Sequence, residues 1–195
     1  MIDKKVIDDG IHTKEALRVL KEDIRDPEQL VTITQKARRI LEQAVNPVAG
    51  PPEAPSDGLL YGLVQSGKTS IITVTAGMAI DNGFDCVIIM TSDINLLYDQ
   101  TLGRIRSALQ GMSVLGKANW SDPEQFLREV KMGSFVIVCS KNASVLGGLL
   151  DAFRKSNAMG LSALIIDDEA DQASLNTRTN RDDGTFSTIN QAIND

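Results

Sequence analysis

Apolar residues recur along this chain at two different spacings, and the change from one to the other divides it. Through the first 46 residues they return every three or four positions: Leu17, Leu20 and Ile24, then Leu30, Ile33, Ala37, Ile40, Leu41 and Ala44. That period sets one face of a helix against a core and leaves the other polar. A first helix is expected from a Thr13 cap to about Arg25. Asp26 as N-cap, with Pro27 in the first turn, opens a second. Packing on the rest of the molecule is the plain role for this pair. Lys36, Arg38 and Arg39 suggest the sharper alternative, docking of nucleic acid or a partner. Four of the chain's six prolines then fall between Pro47 and Pro55, which neither a helix nor a central strand tolerates. Residues 47–57 therefore read as a linker.

Beyond it the pattern changes to short apolar runs rich in Val and Ile, separated by helix-length segments. Strands are expected at 58–62, Cys86–Thr91, Phe135–Ser140 and Ala163–Asp167, with helices at Lys68–Asp81, 94–109, 122–131 and Ala143–Lys155. Ser121-Asp122-Pro123-Glu124 has the spacing of a capping box. Runs apolar on both faces mark buried parallel strands. Their alternation with helices implies right-handed crossovers and a three-layer α/β sandwich. Residues 176–195 are polar, with a turn at Asp182-Asp183-Gly184.

Candidate chemistry begins where the first of those strands should meet its helix. Gly62-Leu63-Val64-Gln65-Ser66-Gly67-Lys68-Thr69 fits G-x-x-x-x-G-K-[ST] without a substitution. Its glycines let successive N–H groups turn inward to form a nest for phosphate, and the helix N-terminus adds its positive end. Gly62, Gln65, Ser66, Gly67, Lys68, Thr69 and Ser70 make up the expected ATP cradle. Lys68 would reach the outer phosphates, and the Thr69 hydroxyl would sit on Mg²⁺. About a hundred residues on, Ala163-Leu164-Ile165-Ile166 runs into Asp167-Asp168-Glu169-Ala170-Asp171, an apolar strand delivering acids to the ligand edge of a sheet. One Asp there can hold Mg²⁺, and the following Glu can orient and deprotonate the attacking water. Either Asp167 or Asp168 could be the metal-side acid.

Asp168-Glu169-Ala170-Asp171 spells D-E-A-D. With the phosphate loop, it makes the chain resemble the first RecA-like lobe of superfamily 2 helicases and translocases. The resemblance favours Asp168 for Mg²⁺ and implies catalytic roles for Lys68 and Glu169 and coupling through Asp171. Within that superfamily, Gln65–Thr69, Ser140-Lys141-Asn142-Ala143-Ser144-Val145-Leu146 and residues 166–177 resemble the Z-one endonuclease-domain ATPases of bacterial restriction and phage-defence systems. The match covers roughly residues 58–180, and residues 1–46 contribute nothing to it. It implies ATP hydrolysis on nucleic acid, DNA in particular, with defence-system proteins as further partners. Thr91 and Ser92 stand where the superfamily places its motif Ia loop, Ser140 and Lys141 where it places motif Ib, which implies contact with a nucleic-acid backbone. Ser92 or Asp93 could equally cap a helix. The superfamily's Ser/Thr-Ala-Thr motif and its second lobe, which donates an arginine finger, do not follow Asp171. Residues 58–195 are therefore expected to be one truncated lobe, preceded by a helical segment at 1–46. Because an arginine finger is worth about 10³–10⁵ in rate, that lobe alone should bind MgATP weakly and turn it over near background.

Composition narrows the picture. The net charge is −6, and residues 1–46 hold nine acids and nine bases, so the whole excess falls on the rest, with 17 acidic and 11 basic residues. Such a lobe is not an electrostatic nucleic-acid binder by itself. Helicase lobes grip a strand jointly, through a few loop residues. Arg104 and Arg106 could touch phosphate, though a solvated helix face is the plainer reading. Trp120 could stack on a base or simply pack. His12 is the one histidine and there are two cysteines, Cys86 and Cys139, so no zinc set can be composed. Both cysteines fall in apolar runs and read as reduced core residues, which suits the cytoplasm. No apolar run approaches the roughly 20 residues needed to span a bilayer.

Overall fold

A computed structural model describes residues 6–44, 46–49, 58 and 67–168. Strand β1 (Cys86–Thr91) lies between β3 (Phe135–Ser140) and β4 (Ala163–Asp167), and β2 (Ser113–Leu115) pairs with the far side of β3. All three pairings are parallel: Cys86 is opposite both Phe135 and Ala163, and Ser113 is also opposite Phe135. The α/β class and the parallel sheet expected from the sequence are present, and the bounds of β1, β3 and β4 fall where the apolar runs place them.

Alternation along the strands sends successive side chains to opposite faces, and two cores result. Val87, Ile89, Val114, Val136 and Val138 face helices α3 (Lys68–Asp81) and α4 (Asn95–Ala108). Cys86, Met90, Leu115, Phe135, Ile137 and Cys139 face the other way, toward Trp120, Phe126, Leu146 and Phe153 of α5 (Lys117–Trp120), α6 (Pro123–Met132) and α7 (Ala143–Lys155). Helices on both faces of one sheet make three layers. Burial pushes the Cys139 thiol up to about 12 and Cys86 further still, so both are inert core residues, as expected.

The N-terminal helices add a fourth layer over α3. Helices α1 (Ile11–Asp23) and α2 (Pro27–Gln43) pack against it. Ala16, Ile33, Ala37 and Leu41 share a core with Ile71, Val74 and Met78. Every residue of α3 from Ile71 to Ala79 is consequently buried.

Two start signals differ from expectation. Thr13 does not cap α1: the helix begins two residues earlier, and its cap comes from another helix. The Asp81 carboxylate, at the C-terminal end of α3, accepts the N–H groups of His12 (3.1 Å) and Thr13 (2.8 Å) and the Thr13 hydroxyl (2.7 Å). A carboxylate there opposes the dipole of its own helix but suits the N-terminus of α1. A Cβ on Gly10 would lie 2.2 Å from Asp81 Cγ, so only glycine permits this approach. Ser121 is likewise not the cap of α6. Asp122 is, accepting from the N–H groups of Glu124 and Gln125 with Pro123 in the first turn, which repeats the Asp26-Pro27 start of α2. Within the expected linker, Pro47–Ala49 forms a 3₁₀ turn.

Replacing Asp81 by alanine should cost about 1–2 kcal/mol, the worth of a strong N-cap, read as a lower urea midpoint. Asp81→Asn, which still accepts hydrogen bonds, should cost less. An unchanged midpoint in Asp81→Ala would show that the inter-helix cap contributes nothing.

Candidate functional site

Parallel strands end at one edge, so whatever follows each of them gathers there. β1 ends in Thr91 and Ser92, β3 in Ser140 and Lys141, and β4 in Asp167 and Asp168. The helix that opens at Gly67, α3, joins the same edge by topology. Only residues 82–85 separate α3 from β1, and α3 packs on that strand, so the helix must run back along it. Fourteen helical residues rise about 21 Å and six strand residues about 20 Å. The N-terminal end of α3, with Gly67 and Lys68, thus lies toward the edge where the strands finish.

Gly67 is the N-cap of α3 and adopts a left-handed conformation at φ 75°, ψ 25°, with no side-chain cap on the helix. Only glycine enters that region without cost. Among the described residues no side chain caps the first-turn N–H groups, the condition an anion nest asks for. Lys68, Thr69 and Ser70 are half-buried in that turn. The Thr69 carbonyl accepts the Thr73 hydroxyl at 2.8 Å.

At the strand ends the polar groups bind one another. Lys141 donates its N–H to the Thr91 carbonyl (2.9 Å), and Asp168 donates its own to the Met90 carbonyl (2.9 Å), which carries both ladders one residue past the strands. The Lys141 ammonium meets Asp167 Oδ1 at 2.9 Å, with the lysine side chain 3 % and the aspartate 18 % exposed. Asn142 caps α7 by accepting from Ser144 N–H and donates its amide to Asp93 Oδ2 at 3.0 Å, tying together the loops after β1 and β3. The Ser92 hydroxyl accepts Ile94 N–H at 3.3 Å, just ahead of α4.

These contacts revise several expectations. Lys141, expected to face a nucleic-acid backbone, is turned inward onto an acid. A lone lysine in a polar loop reads as exposed from sequence; its signal was the acid-ended strand that the topology sets nearby. Thr91 and Ser92 are buried, and Ser92 helps turn the chain into α4, while Ser140 is half-buried opposite Thr91. Arg104 and Arg106 are exposed, as a solvated helix face requires, and Arg106 also binds the Val114 carbonyl (3.1 Å) and Asn119 Oδ1 (2.8 Å), fastening α4 to β2 and α5. Trp120 is 2 % exposed within the second core, which removes it as a stacking platform. Gly62, Gln65, Ser66, Glu169 and Asp171 lie outside the described residues, as do the expected strand at 58–62 apart from Gly58 and the polar tail.

A magnesium triphosphate suits what is present. Among the described residues no three His, Cys, Asp or Glu side chains cluster for a metal. Mg²⁺ does not need such a cage, since it is commonly held by one or two carboxylates together with substrate phosphates. Thr69 and an acid at the end of β4 would hold it, and the uncapped first turn of α3 would hold phosphate. No protein-family model, curated protein or solved structure matches this chain. Among the described residues no helix is long and apolar enough to cross a membrane.

Proposed function

We propose that this chain is the ATP-binding lobe of a superfamily 2 helicase-like ATPase that acts on nucleic acid, within a bacterial restriction or phage-defence system. One observation carries the reading. A helix opened by G-x-x-x-x-G-K-[ST], with a left-handed glycine at its start, begins toward the same edge of a parallel sheet at which a strand ends in acids. Phosphoryl transfer asks a protein chiefly for positioning and charge neutralisation, and these are the parts that supply both. Lys68 would neutralise phosphate, Thr69 and Asp168 would hold Mg²⁺, and Glu169 would position water. The D-E-A-D spelling of Asp168 to Asp171 favours a motor.

A second reading, a nucleotide-dependent switch that docks a protein partner, is favoured by the net charge of −6 and by the inward turn of Lys141. Both leave this edge less basic than a nucleic-acid track would ask.

Titration with a fluorescent ATP analogue tests what the two readings share. Mg²⁺-dependent binding is expected in the natural chain. Lys68→Ala should weaken it at least ~10-fold, because the ammonium–phosphate contact is a charge-assisted hydrogen bond in a partly desolvated site. Equal binding by both chains, or binding by neither, would remove the proposal.

A further inference from the structure

We propose that Lys141 is a positioning residue that holds Asp167 out of the magnesium site, assigning the metal-side role to Asp168. This rests on the nucleotide-site reading above and deepens it. Two adjacent acids end β4, and the sequence alone leaves either able to take the metal. The structure separates them. Asp167 is the last residue of the strand, opposite Met90, whose side chain belongs to the second core. Its Oδ1 lies 2.9 Å from the Lys141 ammonium, which is almost wholly shielded from solvent. The pair is held from both sides, because Lys141 N–H is bonded to the carbonyl of Thr91 and Asp168 N–H to that of Met90. A carboxylate so engaged is a poor ligand for Mg²⁺: the ammonium occupies an oxygen and repels a second cation through poorly screening surroundings. Asp168, the next residue, falls on the opposite side of an extended chain. Continued alternation past the strand would set it toward the face that carries α3.

The reason to keep a buried ion pair at such a place is discrimination rather than stability. Buried pairs are seldom worth more than an apolar replacement of similar volume, whereas removing one partner is costly. With Lys141 gone, Asp167 becomes a second acid beside the metal ligand. It competes for the ion and repels the triphosphate. With both partners gone, that competitor is absent and Asp168 serves alone.

The test measures nucleotide affinity with and without Mg²⁺, and thermal stability, across five variants of the chain. Asp168→Asn should weaken Mg²⁺-dependent binding by about 10–100-fold, and Lys141→Met by about 10-fold, in the range found when metal-site carboxylates or their partners are lost. Lys141→Arg, Asp167→Asn and the double variant Lys141→Met/Asp167→Leu should stay within about threefold of the natural chain. Lys141→Met should also melt earlier, and the double variant should recover the natural midpoint. Recovery of nucleotide affinity in the double variant is the decisive result, since a lysine that merely supported the fold would change melting alone.

Loss of Mg²⁺ dependence in Asp167→Asn comparable to that in Asp168→Asn would overturn the assignment. A double variant as weak as Lys141→Met would overturn it too, by showing that Lys141 meets the ligand itself. Absence of Mg²⁺-dependent binding in the natural chain removes the functional reading and this inference together. Failure confined to the variants removes the inference alone.

Discussion

Glu169→Gln should leave MgATP bound while slowing its hydrolysis by about 10²–10⁴-fold, the usual contribution of a positioned general base. Glutamine keeps the size and reach of glutamate but is neutral and cannot take a proton. Affinity should therefore stay near that of the natural protein. The measurement is single-turnover hydrolysis with enzyme in excess, in the full-length protein with nucleic acid present, alongside Lys68→Ala. A motor loses stimulated hydrolysis in both variants, by failed chemistry in one and failed binding in the other. A switch depends on Lys68 and tolerates Glu169→Gln. Turnover that survives Glu169→Gln would withdraw the water-activating role from this residue.

Phe126→Ala should be the most destabilising of the core truncations, costing about 3–5 kcal/mol. Phe126 is fully buried and sits where α6, β3 and α7 meet. Its ring packs edge-on against Phe135 at 5.9 Å and 77°, and against Phe153 at 5.2 Å and 67°. Such pairs add about 0.5–1.5 kcal/mol beyond the area they bury. Rigid neighbours on three elements leave little room for the cavity to collapse. At this chain length the loss corresponds to a fall in melting temperature of roughly 10 °C. Phe126→Leu, which refills much of the volume, should fall by less. A loss below about 1 kcal/mol in the alanine variant would mean that the second core repacks freely.

The strands were the most legible part of the fold, because burial on both faces demands a continuous apolar run and β1 and β3 each have one; β4 has the run too, although Ala163 and Ile165 on one of its faces are exposed. Helix α3 was equally clear, bounded by the phosphate-loop glycine and by Asp81. Short elements were not. β2 has three residues and α5 four, fewer than either periodicity needs, and β2 exists through its pairing with β3, a partner distant in sequence. Caps failed where the acceptor came from elsewhere: nothing near Thr13 announces that Asp81 will serve α1. In the candidate site, the G-x-x-x-x-G-K-[ST] run and the acid run could be picked out by spacing, and the structure describes only Gly67 to Thr69 of the one and Asp167 and Asp168 of the other. The burial of Lys141 could not be picked out so, because which loop residues face one another is decided by strand order, and β1 separates β3 from β4 in the sheet although it precedes both in the chain. His12 and Thr13 gave no sign either of the carboxylate that binds their N–H groups.

Because α3 secures α1 through Asp81 and packs against both N-terminal helices, those helices cannot be trimmed away without stripping α3 of its cover. A version beginning at Pro47 would take Ala16, Ile33, Ala37 and Leu41 out of the core they share with α3 and leave Asp81 without its partners, so that helix would become a sticky outer wall. Any piece of this protein that keeps α3 in its folded surroundings has to carry α1 and α2 with it.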